Sequence, residues 1–211
     1  MREYERRHRE REEYARGQLG QFGALLAKLI NEPQSTRAWK QGGDGEVKTG
    51  LRLKKHLEGT TVRLLHDRRV PAHGRANIDH IAVGPGGVTV IDTKTNRGPV
   101  RVERVGGLFA PRRSALMIGR HDRSGLIKGV ERQIGYVKSA LKRAGHVDVD
   151  VRGALCFPDP DGLPLVRQLK VGEIIVEGPK PIAKLTQRPG AFDTETIDRM
   201  WNVLGQAFPP A

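Results

Sequence analysis

The sequence has little cysteine and no long hydrophobic run, and both absences narrow the class of protein. Cys156 is the single cysteine in 211 residues, so an intrachain disulfide is impossible and a zinc site built from several cysteines is excluded. No apolar run approaches the roughly 20 residues that a membrane-spanning helix needs. The first residues, rich in Arg and Glu, lack the apolar stretch of a signal peptide. We therefore expect a cytoplasmic protein with no membrane partner.

Acidic residues are also scarce relative to basic ones. Lys and Arg total 37 against 24 Asp and Glu, which gives a formal net charge of +13 at pH 7. An excess of positive charge attracts polyanions, and the attraction weakens as salt concentration rises. The composition therefore predicts a nucleic-acid partner, although basic proteins that bind no nucleic acid also exist. It leaves the oligomeric state open.

The length fits one well-buried domain with an appendage. Residues 1–38 are predicted to form a charged N-terminal extension, helical or flexible, because Arg and Glu alternate there with few apolar residues. Residues 39–211 are predicted to form the folded domain, which ends in a C-terminal helix.

The spacing of apolar residues within this domain predicts a mixture of helices and strands. Their order implies a mixed sheet with helices on both faces, an α/β architecture. The predicted elements are a loop over 41–45, a helix over 46–57, a strand over 61–65, a basic turn over 111–113, a helix over 126–144, a buried strand over 151–157 and a helix over 194–206 capped by Asp193.

The most informative segment covers residues 77–94, where two β-rich runs flank the sequence Gly-Pro-Gly-Gly at 84–87. Such a pattern predicts a β-hairpin. If a four-residue loop closes on Val83 and Val88, the register places Ile81 opposite Val90. The same register places an aspartate of each strand opposite the other near the open end of the hairpin.

Those two aspartates are Asp79 and Asp92, and Lys94 lies two residues further along, on the same side of its strand. Directly opposed residues hold their Cβ atoms only about 4.5 to 5.5 Å apart, where like charges destabilise the pair. The arrangement is reasonable if positive charge lies between the carboxylates. A divalent metal with a nearby lysine is the simplest candidate.

An ordered set of motifs resembles the nuclease-related domain (NERD) family, from roughly Glu46 to Phe157. The matching residues are Gly45-Glu46 at a helix start, Asp79 within Ile-Asp-His-Ile, Asp92-Thr93-Lys94 on the next strand, and Gln133 on a later helix. The family belongs to the restriction-endonuclease-like group, whose PD-(D/E)xK signature is an Asp followed by (Asp/Glu)-x-Lys. The resemblance implies a restriction-endonuclease-like fold with a mixed central sheet flanked by helices on both faces.

The resemblance also implies a metal-dependent nuclease, with DNA as the expected substrate. Asp79 and Asp92, with a backbone carbonyl near Thr93, would hold one Mg²⁺ or Mn²⁺ through hard oxygen ligands, and Glu46 could complete the metal shell. Lys94 would orient or deprotonate the attacking water and offset charge in the transition state. A glutamine on a helix such as that of Gln133 is expected to contact the site.

Several alternatives stay open. Asp92 stands where the family usually has Glu, so its carboxylate reaches one methylene less far; either the backbone is closer to the metal or the site is weaker. A catalytically weak or inactive nucleic-acid-binding or adaptor module on the same fold is the competing function. Glu46 also suits a helix first turn without any metal. The candidate contacts to backbone phosphates are Arg97, Arg112, Arg113 and Lys128.

Overall fold

The computed structural model describes residues 37–71, 74, 76–95, 98–107, 110–159, 162–164 and 168–211, and the side chains among these except at 37–43 and 110–112. The predicted extension therefore lies outside the described residues, apart from its last two positions. The described helices are α1 (Arg37–Leu57), α2 (Gly125–Arg143), α3 (Pro179–Thr186) and α4 (Thr194–Ala207). The described strands are β1 (Arg63–Arg69), β2 (Asn77–Gly84), β3 (Gly87–Thr93), β4 (Val100–Gly107), β5 (Ala110–Ile118), β6 (His121–Asp122), β7 (Val151–Cys156), β8 (Leu169–Val171) and β9 (Ile174–Glu177).

The main sheet is mixed, as the order of elements predicted. Its strands lie in the order β1-β2-β3-β7-β9-β8. Strands β1, β2 and β3 are antiparallel neighbours, β7 pairs in parallel with both β3 and β9, and β8 returns antiparallel to β9. The strands β4, β5 and β6 form a second, antiparallel sheet. It packs against β7, β8, β9 and the first turns of α2.

Helices cover both faces of the main sheet. Successive residues of a strand point to opposite faces, so each strand contributes side chains to the packing on both sides. Ile81 and Val83 pack on one face with residues of α2 and α4, such as Val137 and Met200. Ala82 and Ile91 face the other way, with Leu53 of α1 and Ile182 of α3. This arrangement confirms the predicted restriction-endonuclease-like α/β architecture. None of the described helices is long and apolar enough to cross a membrane.

The hairpin register agrees with the prediction, since Val83 pairs with Val88 and Ile81 pairs with Val90. The loop is shorter than predicted. Pairing continues to Gly84 and Gly87, so the turn consists of two residues instead of four. The shorter loop leaves the register unchanged, because both loop lengths close on the same residue pairs.

Three boundaries differ from the sequence prediction. Helix α1 begins at Arg37, so residues 41–45 are helical and do not form a loop. Each glycine there costs a helix only about 1 kcal/mol, which packing can offset. Strand β1 continues to Arg69 instead of stopping at 65, because His66 and Arg68 are buried in spite of their polarity. Residues 111–113 lie inside β5, where pairing with β4 overrides the turn signal.

The packing of α2 against β7 depends on Gly153. A Cβ atom at this position would lie 2.6 Å from both Val130 Cγ1 and Ile174 Cδ1, whose side chains are buried. We predict that Gly153→Ala lowers the stability by about 1–3 kcal/mol, because the core must shift to admit the methyl group. The measurement is the midpoint of thermal unfolding.

The matched control is Gly135→Ala on the exposed face of α2, where no described atom lies within 4 Å of the added methyl group. That change is expected to be neutral or to stabilise the helix by up to about 1 kcal/mol. Equal stability of the two variants would show that the contact between α2 and β7 is looser than the coordinates indicate.

Candidate active site

The two predicted carboxylates lie at the open end of the β2–β3 hairpin. The last paired residues are His80 and Ile91, and Asp79 and Asp92 occupy the next step of the same register. At this step Thr93 N donates a hydrogen bond to Asp79 Oδ2 at 2.7 Å. The side chain of Asp79 therefore accepts a bond from the main chain of the neighbouring strand and is fixed beside Asp92.

Lys94 follows directly after β3, and both its main chain and its side chain are held. Its amide donates to the carbonyl of Cys156 on β7 at 2.8 Å. Its Nζ lies 2.7 Å from Asp92 Oδ2 and donates to Thr93 O at 2.9 Å. The ammonium therefore contacts a carboxylate and a carbonyl that the sequence assigned to a metal ion.

Gln133 reaches the site from α2. Its Nε2 donates to Asp92 Oδ1 at 3.1 Å and to the carbonyl of Asn77 at 3.3 Å. Its Oε1 is buried and accepts no hydrogen bond from the described part of the chain. Both oxygens of Asp92 thus have partners, whereas the amide oxygen of Gln133 is available to another donor.

Glu46 approaches the same site from α1. The helix can come this close because residue 45 is glycine; a Cβ there would lie 2.1 Å from Thr95 Cγ2. The charge of Glu46 contributes to raising the pKa of both Asp79 and Lys94, which places the carboxylate in their vicinity. The structure therefore brings Asp79, Asp92, Thr93, Lys94 and Gln133 into contact, and Glu46 is near enough to influence the pKa values of Asp79 and Lys94.

The electrostatics of the cluster are dominated by burial and by like charge. Burial raises the pKa of Asp79 well above its usual range, and the nearby carboxylates of Asp92 and Glu46 raise it further. Burial on its own would lower the pKa of Lys94, but Asp92, Asp79 and Glu46 outweigh that effect, so the pKa is raised. Lys94 therefore stays cationic at neutral pH, and the site holds more negative charge than one lysine balances.

The donor atoms fit a small, hard divalent cation better than a soft one. They are carboxylate, carbonyl and amide oxygens, which Mg²⁺ and Mn²⁺ prefer. Two features favour additional positive charge: Gln133 Oε1 has no partner among the residues described, and the pKa of Asp79 is raised. Within the described residues, however, no three or more His, Cys, Asp or Glu side chains are grouped to hold a metal ion. Glu46 thus lies near the two aspartates without forming a three-carboxylate group.

A histidine pair lies on the opposite face of the sheet. His66 and His80 are both buried, and their Nδ1 atoms are 2.8 Å apart. Burial lowers the pKa of His80 to about 3 and holds the pKa of His66 well below its ordinary value, so both rings are neutral. The pair therefore connects β1 and β2 through a side-chain contact inside the core.

Three contributions to the site were not predicted from the sequence. Asn77 provides the carbonyl that fixes Gln133, Cys156 provides the carbonyl that anchors Lys94, and Gly45 lets α1 approach. The two carbonyls carry no side-chain signal, so sequence reasoning has no way to detect them. The thiol of Cys156 is buried in the core, and burial raises its pKa to about 12, as expected for an inert residue.

A mixed sheet with carboxylates and a lysine at the end of a β-hairpin defines the class of restriction-endonuclease-like domains. The family model of the nuclease-related domain, NERD, matches residues 41–158, which is more than half of the chain. The chain therefore belongs to the nuclease-related domain family. No curated protein and no solved structure matches it.

The raised pKa of Asp79 predicts a dependence of stability on pH. A carboxyl group whose pKa is raised by folding contributes stability at low pH, and that stability is lost as pH rises through the raised pKa. Asp79→Asn removes the charge and keeps an oxygen that can accept the bond from Thr93 N. We predict that this variant melts at a higher temperature than the wild type at pH 7 and above without divalent metal. The difference should shrink as the pH is lowered towards 4.

Asp148→Asn serves as the control, because it removes the same charge from an exposed position. It should melt close to the wild type across this pH range, since an exposed carboxylate gains little from losing its charge. A wild type that is as stable as Asp79→Asn at neutral pH would contradict the electrostatic account of the site.

Proposed function

We propose that the protein is a metal-dependent nuclease that hydrolyses phosphodiester bonds, with DNA as the expected substrate. The observation that supports this function best is the position of Lys94 Nζ between Asp92 Oδ2 and Thr93 O, beside a second, partly buried carboxylate, Asp79. Membership of the nuclease-related domain family supports the same conclusion. The basic composition suits a polyanionic substrate.

Asp79, Asp92 and the carbonyl of Thr93 would hold one Mg²⁺ or Mn²⁺, and Glu46 would lie close to it. A divalent ion bound there supplies Lewis-acid activation of a phosphate and lowers the pKa of a bound water. It would also compensate the negative charge that raises the pKa of Asp79.

Lys94 acts as a fixed positive charge in this proposal. Because its pKa is raised, it stays protonated at neutral pH and is a poor base. Its ammonium group can instead donate hydrogen bonds to a phosphate oxygen or to the attacking water, and it can stabilise the charge that develops in the transition state. Of the two roles open from the sequence, orientation of water is therefore favoured over its deprotonation.

Gln133 positions the carboxylate of Asp92 through Nε2, which donates to Oδ1. The same side chain is anchored by the carbonyl of Asn77, so its orientation is fixed from two sides. Its Oε1, which accepts no hydrogen bond from the described residues, can accept one from a water molecule at the site. Gln133 thus combines a positioning role with a possible contact to the nucleophile.

The direct test is plasmid cleavage with Mg²⁺ or Mn²⁺. Lys94→Ala and Asp79→Asn are each expected to reduce the rate at least about 100-fold, the usual loss when a charge that stabilises the transition state is removed. Lys138→Ala, an exposed lysine on α2, should cleave at the wild-type rate. Undiminished cleavage by Lys94→Ala would refute the proposed role of this residue.

Metal binding can be tested separately from activity. We predict that Mg²⁺ or Mn²⁺ raises the midpoint of thermal unfolding of the wild type, because an ion that binds the folded state stabilises it. EDTA should reverse the increase. Asp92→Asn should show a much smaller increase, since one ligand loses its charge. An equal increase in both proteins would place the bound metal somewhere else.

A nucleic-acid-binding or adaptor module with little or no catalytic activity is the second candidate. One observation favours it specifically: both carboxylate oxygens of Asp92 already have partners in Lys94 and Gln133. A metal ion at Asp92 would then have to share a carboxylate oxygen with Lys94 or Gln133, or displace one of them.

Asp92→Glu separates the two functions, because the longer side chain can reach a metal without displacing Lys94. If the wild type cleaves weakly and this variant cleaves faster, the natural chain is a nucleic-acid-binding or adaptor module. Efficient wild-type cleavage that falls in the variant would support the enzyme.

A further inference from the structure

Helix α2 carries an exposed row of basic side chains next to the candidate active site. Lys128 and Arg132 are four residues apart and therefore lie on one line of the helix surface. Ser124, four residues before Lys128, continues this line at the helix start. Its Oγ lies 3.5 Å from Arg113 Nη1, so a guanidinium group from β5 takes the first position of the row. We call Arg113, Lys128 and Arg132 the α2 basic row.

The row leads towards the site. An α-helix rises about 1.5 Å per residue, so positions 124, 128 and 132 are about 6 Å apart along the helix axis. Arg132 is followed by Gln133, which contacts Asp92. The row thus begins about 13 Å from the level of Gln133 and ends beside it. Around the helix axis, Arg132 lies about 100° from Gln133, Lys128 about 140° and position 124 about 180°, so the row approaches Gln133 from the solvent side.

This spacing suits the backbone of a nucleic acid. One strand of B-form DNA carries a phosphate about every 3.4 Å along the axis, so two steps correspond to about 6.8 Å. Cations about 6 Å apart can therefore each contact a different phosphate of the same strand.

The local charge balance is positive. Arg120 and Arg123 are exposed at the same end of α2, in addition to the row. The acidic residues next to the row in the sequence are Asp122, which pairs with Arg113 at 3.1 Å, and the exposed Glu131. Exposed ion pairs contribute little to stability, so Arg113 can exchange Asp122 for a phosphate at little cost.

We propose that the α2 basic row binds the sugar-phosphate backbone of nucleic acid and directs it into the candidate active site. The inference rests on the proposed function for the identity of the ligand. It includes two of the four phosphate contacts nominated from the sequence, Arg113 and Lys128, and adds Arg132. Arg97 lies outside the described residues, and the side chain of Arg112 is not among those described.

The chain contains a matched control for this surface. Lys180 and Lys184 of α3 are also exposed and four residues apart. Helix α3 packs with α1 on the opposite face of the main sheet from α2. Charge reversal there changes the net charge by the same amount without altering the α2 basic row.

The experiment compares Lys128→Glu/Arg132→Glu with Lys180→Glu/Lys184→Glu. Binding to a short labelled DNA duplex is measured by fluorescence anisotropy in EDTA over a range of salt concentrations. The α2 double variant is expected to raise Kd about 10-fold or more near 0.1 M salt, and to reduce the slope of log K against log salt by about 2. The α3 double variant should bind like the wild type. Circular dichroism verifies that both variants are folded.

Equal losses in the two double variants would mean that only net charge matters, and would overturn the inference. Unchanged binding by the α2 variant, with a wild type that binds and cleaves, would overturn it as well and leave the proposed nuclease intact. Binding that depends on the row without any cleavage would support the inference and refute the nuclease. A wild type that binds no nucleic acid would refute both.

Discussion

The site depends on one unfavourable interaction, the approach of two carboxylates at the end of a β-hairpin. Asp79 and Asp92 are brought together by the register of β2 and β3, which the paired apolar residues Ile81 and Val90 enforce. A slip of one residue would turn every side chain of a strand to the wrong face. The core therefore holds the two acids in proximity against their repulsion, and Lys94 offsets part of it.

Each remaining element around the site restrains one member of this cluster. Strand β7 fixes the main chain of Lys94, α2 orients the carboxylate of Asp92 through Gln133, and α1 brings Glu46 close because Gly45 permits the approach. The excess negative charge is what makes the cluster suitable for a cation. The same excess of negative charge lowers the stability of the folded state, as the raised pKa of Asp79 indicates.

The parts of the fold that follow from local periodicity were predictable. The hairpin register, α2, β7, the helix capped by Asp193 and the convergence of the two aspartates with Lys94 all result from alternation, helical spacing or turn chemistry. The predictions failed where distant contacts decide. Buried His66 and Arg68 extend β1, and pairing with β4 makes 111–113 part of a strand. The carbonyls of Asn77 and Cys156 belong to the site only because the fold places them there.

The main-chain bond from Lys94 to Cys156 has a mechanical consequence. It fixes the main chain at the base of a long, flexible side chain to a central strand of the sheet, while the side chain itself is 29% exposed. The amine can then move from the carboxylate of Asp92 to an arriving ligand by side-chain rotation, without a movement of the backbone. Side-chain rotation is faster than the closure of a loop, so the exchange of partners at this site requires no slow conformational step.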